Sequence, residues 1–138
     1  MFPGNEPTNL QIISDYPVEF DVIDTVWIQL SDGKRVASRI WRPKTADQTP
    51  VSTILEYIPY RRRDGRLADD ERIHPYFAGH GFACVRVDIR GSGDSEGLLH
   101  DEYLKLEQDD ALEIIPFIND QPLVNLANWP EYPFVIIL

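Results

Sequence analysis

Cysteine, histidine and long apolar runs are scarce in this chain, and each scarcity closes off a class of protein. One cysteine, Cys84, in 138 residues rules out an internal disulfide framework. It is compatible with a reducing compartment, so a cytoplasmic location is expected. Cys84 lies within an apolar stretch, where a buried thiol acts as a small hydrophobe. Three histidines and that one cysteine, widely spaced, make no metal-ligand cluster, and neither metal nor cofactor is expected. No segment is long and apolar enough to cross a bilayer. Met1 to Tyr16 lacks a basic head followed by an apolar run, so no secretory signal is read there. Basic residues are outnumbered, 13 Lys and Arg against 23 Asp and Glu, for a net charge of −10. That balance argues against nucleic acid and anionic membrane surfaces as partners. The rest is ordinary for a soluble globular chain: 43% hydrophobic and 26% charged residues, with length for one small domain.

The most informative stretch runs from Phe82 to Gly97. Its apolar part, with Val85 and Val87, suits a buried strand. Gly91, Gly93 and Gly97 then allow a sharp turn, and a helical pattern follows. Strand, turn and helix form the unit of an α/β sheet, which places its chemistry at the carboxyl ends of strands. Three readings of the turn compete. Gly93-Asp94-Ser95-Glu96-Gly97 fits the G-x-S-x-G nucleophile elbow. Against it, Asp94 and Glu96 flank the serine and would oppose a developing oxyanion. The only downstream histidine is His100, too close for a triad order. Gly91-Ser92-Gly93 begins like a dinucleotide loop, but the third glycine is one place late and the acids would repel a pyrophosphate. In the third reading the loop is structural: Asp88 and Arg90 tie the strand end to neighbouring loops and the glycines permit the turn.

In chain order, Met1 to Pro17 reads as an irregular arm. Val22 to Leu30 is β-branched and aromatic, Ser31-Asp32-Gly33 is a hairpin signal, and Arg35 to Trp41 returns as a second strand stopped by Pro43. Lys44 to Pro50 reads as a surface loop. Ser52 to Ile58 is a third strand, and Pro59 leaves Tyr60 at its carboxyl end. Arg61, Arg62 and Arg63 read as a solvated loop paired with nearby acids. A helix is predicted over Asp69 to Gly79, interrupted or restarted at Pro75. His74 and His80 read as structural or solvated. A second helix is predicted over Asp101 to Ile118, capped by Asp101. Its apolar side is Leu104, Leu106, Ala111, Leu112, Ile115 and Ile118; its polar side is Glu107, Asp109, Asp110 and Glu113. Pro116 should kink or end it. Phe134 to Leu138 is a short apolar end that can form a strand.

Several pieces together resemble the X-Pro dipeptidyl-peptidase and cocaine-esterase (CocE/NonD) family of α/β-hydrolases. They are Val26 to Gly33, Ile40-Trp41-Arg42-Pro43, Leu55 to Arg61, His74 to Ala78, Gly81 to Gly97, and Asp101 to Ala111. The resemblance runs from Tyr16 to about Pro122, most of this chain but a minority of a full member. It implies the amino-terminal portion of an α/β-hydrolase fold, an antiparallel hairpin leading into a mostly parallel sheet. It also implies a serine enzyme acting on small acyl esters or peptides, with the serine on an elbow after a fifth strand and the acid and histidine later. The tyrosine at the Tyr60 position donates to the oxyanion hole in that family; one such donor is worth ~3 kcal/mol. The Gly93 to Gly97 match then falls in the loop after the fourth strand, away from the nucleophile.

The expected divisions are an arm over 1–17, a hydrolase portion over 18–122 and a divergent tail over 123–138. Leu123 replaces the family's tryptophan, and no elbow follows. Two expectations stand side by side. In one, the chain is the head of an interrupted or split serine hydrolase, inactive alone. In the other, it is a stand-alone, non-catalytic binding domain. Without a fifth strand, Ser52 to Ile58 would leave an apolar sheet edge open to self-association.

Overall fold

The computed structural model of the chain describes residues 15–120 and 134–137. Most of the predicted arm and tail therefore lie outside the described residues, including Leu123. The described part is an α/β sheet with a helix on each face. The strands are β1 (Phe20–Gln29), β2 (Arg35–Pro43), β3 (Thr53–Ile58), β4 (Ala83–Asp88) and β5 (Phe134–Ile137). The helices are α1 (Leu67–Ala78) and α2 (Lys105–Asp120). Where a plain loop is expected after Pro43, Lys44–Asp47 form one 3-10 turn.

The sheet order is β1-β2-β4-β3-β5. β1–β2 and β2–β4 are antiparallel, while β4–β3 and β3–β5 are parallel. β3 and β4 carry no polar–apolar alternation because both their faces are covered. All six β4 residues are buried, as are five of the six in β3. The hairpin closes as the sequence predicts: Gly33 has φ 86°, and the Asp32 carboxylate accepts the Lys34 N–H at 3.0 Å.

The edge of β3 is not left open. β5 pairs with it from Thr53 opposite Phe134 to Glu56 opposite Ile137. The apolar segment at the end of the sequence thus stands beside β3, where an α/β-hydrolase sheet places its fifth strand.

Two apolar clusters hold the layers together. On one face Trp41, Ile54 and Cys84 pack with Ala78 of α1. On the other, Val36, Ile40, Leu55, Tyr57, Val85 and Val87 pack with Ile114 and Ile118 of α2.

Both helices correct the sequence reading. Each runs on through its proline, Pro75 in α1 and Pro116 in α2. An internal proline costs on the order of 3 kcal/mol. Burial beyond it, of Ala78 in α1 and of Ile118 in α2, opposes that cost. α2 begins at Lys105, not Asp101. Tyr103 has φ 61° and cannot continue a helix backwards; its N–H instead donates to Glu107 at 3.2 Å.

The buried face of α2 is Asp110, Ile114 and Ile118, four residues apart, flanked by Ala111, Ile115 and Phe117. Leu104, Leu106 and Leu112 are exposed, Leu112 by 67%. Asp110, predicted on the polar side, faces inward because Arg90 is there. The guanidinium gives it two hydrogen bonds of 2.7 Å and reaches Asp32 at 2.6 Å. Those contacts, the one to Asp110 foremost, raise the affinity of Arg90 for its proton.

Two outcomes check this packing. Asp110→Ala leaves the buried Arg90 guanidinium with exposed Asp32 as its remaining partner and should destabilise the chain by about 3 kcal/mol in denaturant unfolding. Leu112→Ala should stay within about 0.5 kcal/mol of wild type. Cys84 is fully buried and burial pushes its thiol up to about 12. In the native chain at pH 8 it should resist an aromatic disulfide reagent, and react at once in denaturant.

Candidate active site

Parallel strands converge their carboxyl ends, and in this sheet those ends belong to β3, β4 and β5. Tyr60 lies two residues past β3 with its side chain 59% exposed. The backbone around it is tied down on three sides. Ser92 donates its hydroxyl to the Pro59 carbonyl at 3.2 Å. Arg86 donates through Nη2 to the Tyr60 carbonyl. The Arg62 N–H donates to Asp88 Oδ1 at 2.8 Å. An exposed phenol is thus carried on a fixed peptide.

Asp88, the last residue of β4, is buried. Besides the Arg62 N–H it accepts the Asp94 N–H at 3.2 Å and lies 3.3 Å from the Arg62 guanidinium. Arg62 corrects the expectation of three solvated arginines. It is 1% exposed, and its fork donates to the Asp24 carbonyl at 2.7 Å and to Asp94 at 2.8 Å. Arg61 and Arg63 are exposed and pair with Asp64 and with Asp24 and Asp94, as expected.

The glycine-rich loop has the structural role. The Ser95 hydroxyl donates to the Asp88 carbonyl at 2.6 Å and accepts the Ala37 N–H at 2.9 Å. A hydroxyl engaged this way is no nucleophile. Glu96 takes the Arg35 N–H at 2.9 Å and its guanidinium at 2.6 Å, which holds the Glu96 carboxyl below its ordinary range. Among the described residues, no serine hydroxyl bonds a histidine.

Beneath Tyr60 lies a buried charged layer that the sequence reading missed. Arg39, Arg86 and Glu56 stand abreast on β2, β4 and β3. α1 sets Asp70, Glu71 and His74 against them. Arg86 Nε is 3.2 Å from Asp70, Arg39 Nη1 is 2.5 Å from Glu71, and His74 Nε2 is 2.9 Å from Glu56. His74 also stacks on Trp41 with ring centroids 4.4 Å apart.

The nearby His74 imidazole, foremost, holds Glu56 below its ordinary value, against the opposing effect of burial. Asp70 is displaced upward, chiefly by burial. Glu56, Asp70 and His74 bring ligand-type atoms within 4.8 Å of one another. The fold thus gathers one histidine and two acids where the sequence, read for histidine and cysteine, predicts no cluster. Arg86 already supplies Asp70 with a positive partner. A signal was available: Glu56 and Arg86 each interrupt an apolar strand, and buried charges require opposite partners.

Replacing His74 with Phe keeps a ring against Trp41 and removes the influence that lowers Glu56. The Glu56 titration midpoint, followed by carboxyl carbon NMR, should then rise. The sign for stability follows. A lowered carboxyl contributes stability that is present above its ordinary value of 4.5 and lost as pH falls through the lowered value. The Glu56 contribution to the acid limb should therefore shrink in His74→Phe, which starts less stable at neutral pH and loses less stability as pH falls below 4.5.

Comparison with known proteins bears on the family and the fold. The family model described as X-Pro dipeptidyl-peptidase (S15 family) matches residues 32–126. No curated protein matches by sequence. Among solved structures, a CocE/NonD family hydrolase from Staphylococcus aureus is similar at TM-score 0.60 and 18% identity, over 77% of this chain and 22% of its own. The α/β hydrolase GrgF from Penicillium sp. sh18 is similar at TM-score 0.60 and 19% identity, over 84% of this chain and 36% of its own. Est1E from Butyrivibrio proteoclasticus, with ferulic acid bound, gives 0.58 and 17%, over 80% and 41%. The chain thus spans well under half of the structures it matches. With the family model covering more than half of the sequence, and with an α/β-hydrolase strand order beneath it, this chain belongs to the X-Pro dipeptidyl-peptidase (S15) family.

Proposed function

We propose that this chain supplies the oxyanion-hole portion of a serine acyl hydrolase, with Tyr60 as the donor. The substrate is a small acyl ester or a peptide, cleaved through an acyl-enzyme. The observation that carries the reading is the place of Tyr60: an exposed phenol just past the end of β3, next to β5 in the sheet. β5 is in register as far as Glu56, two residues short of the end of β3. A serine carried past β5 would face Tyr60 across adjacent strand ends. Attack on an acyl carbon gives a tetrahedral intermediate, whose oxyanion accepts the Tyr60 O–H. Collapse breaks the bond to the alcohol or amine, which leaves protonated, and keeps the acyl group as an ester on the serine; water then cleaves that ester, releasing the acid and the free serine.

Ser95 is committed to the strand backbone, the Ser31 hydroxyl donates to Glu113 at 2.8 Å, and no described serine hydroxyl bonds a histidine. On this reading the chain alone is inert, and turnover needs a serine, an acid and a histidine supplied in addition to these residues.

The test has two arms. The 138-residue chain alone should neither turn over an activated ester nor react with a fluorophosphonate. The full-length gene product should do both, and Tyr60→Phe in it should lower kcat about 100-fold or more. Turnover by the chain alone sinks the proposal, as does an unchanged kcat in Tyr60→Phe. If the gene product ends with this chain and binds ligands without turnover, a non-catalytic domain replaces the reading.

A further inference from the structure

We propose that Arg86 is the positioning residue for Tyr60, acting from inside the sheet with Asp70 as its anchor. The inference rests on the reading of Tyr60 as oxyanion donor and explains how that phenol is held in place. Arg86 lies in the middle of β4 and has 0% exposure. Its guanidinium is planar, with donors fixed in direction. Each of its three nitrogens has a different acceptor. Nε reaches Asp70 at 3.2 Å, Nη1 donates to the Val87 carbonyl at 3.0 Å, and Nη2 donates to the Tyr60 carbonyl. The three acceptors come from α1, from β4 itself and from the loop after β3. One rigid group therefore fixes the Tyr60 peptide relative to both the sheet and the helix.

The cost of this arrangement argues that it has a purpose. A buried ion pair is commonly no more stable than apolar residues filling the same space. One row back on the same face, Trp41, Ile54 and Cys84 show that the sheet accepts apolar side chains against α1. Apolar packing has no direction, whereas a guanidinium fork specifies where a carbonyl oxygen must lie. Oxyanion stabilisation needs that kind of accuracy, since its donor must meet a charge at hydrogen-bond distance without reorganising. Tyr60 is exposed and its ring receives little packing from the described residues. Its placement must come through its backbone.

The acids around Arg86 have other partners too. Asp70 faces His74 at 3.7 Å as well as Arg86, and His74 is held between Glu56 and Trp41. Arg39, abreast of Arg86 on β2, is engaged by Glu71 and Asp24. No neighbouring acid is left free to draw the Arg86 guanidinium away from Tyr60.

The test places 3-fluorotyrosine at position 60 of the 138-residue chain and reads its fluorine NMR signal and the exchange of the Tyr60 to Arg62 amides. The protection of the Cys84 thiol reports whether the fold is intact. Arg86→Met removes all three donors at similar length. It should speed exchange at Tyr60 to Arg62 by tenfold or more and move the fluorine signal towards that of free fluorotyrosine, while Cys84 stays protected. Arg86→Lys, a single point charge, should restore the signal only in part. If Arg86→Met exposes Cys84, Arg86→Lys and Asp70→Asn decide the question by the same two readouts. An unmoved signal and unchanged exchange in a folded variant overturn the proposal.

In the full-length enzyme Arg86→Met should lower kcat more than it changes KM, and should add nothing in a Tyr60→Phe background. A merely structural role would lower activity equally in both backgrounds. Should Tyr60→Phe itself leave kcat unchanged while exchange at Tyr60 still responds to Arg86, the anchoring stands and the oxyanion role falls.

Discussion

One buried carboxylate, Asp88, joins the two loops that make the working end of this sheet. One of its oxygens accepts the N–H of Arg62, beyond β3, and the other accepts the N–H of Asp94, beyond β4. The Arg62 guanidinium, itself buried, balances the charge. An unpartnered buried carboxylate costs several kcal/mol, so neither loop separates from Asp88 cheaply. The glycine pattern follows from the same carboxylate. A Cβ at Gly93 would lie 2.2 Å from Asp88 Oδ2. Glycine is needed there for close approach as well as for its φ of 55°. The G-x-S-x-G match is therefore a by-product of wrapping a loop around a strand-end carboxylate.

Along the α1 face of the sheet, character changes in rows towards that end. Trp41, Cys84 and Ile54 stand abreast in an apolar row under Ala78. One step on, Arg39, Arg86 and Glu56 form a charged row under Asp70, Glu71 and His74. Asp88 and Arg62 complete the gradient. Stability comes mainly from the apolar row and from the α2 face, where Leu55, Val85 and Val87 meet Ile114 and Ile118. The charged rows add little net stability, but their bonds have direction. The sheet thus passes from close packing at one end to fixed donors and acceptors at the end where chemistry is expected.

Much of the backbone was legible in the sequence because its signals are local. Apolar runs, a Ser-Asp-Gly turn and a glycine-rich strand end placed four strands and two helices. The elements that were misread depend on distant partners. Asp110 looks solvated on a helical wheel and turns inward because Arg90, twenty residues away, needs it. Leu112 looks like core and is exposed for the same reason, since the wheel is rotated to bring Asp110 to the sheet. Pro75 read as an interruption, and Pro116 as a kink or an end, because local propensity omits the burial that lies beyond them. The site was legible only in part. Tyr60 was reached through family resemblance, whereas Arg86 and Glu56 could have been found from the sequence as charges inside apolar strands.

The proposed oxyanion role would account for the division of labour around Tyr60. A donor helps only if it is in place before charge develops, because reorganising in the transition state forfeits the gain. The phenol reaches outward from its backbone, so an error in the peptide is carried through to the hydroxyl. Tying Pro59, Tyr60 and Arg62 to β4 and its loop removes that error at the source. The ring itself is left free of packing at 59% exposure. Its final orientation would then be available to the acyl group of the proposed substrate. In this arrangement a rigid peptide carries an adaptable ring. The buried charges under β3 are what keep the peptide rigid.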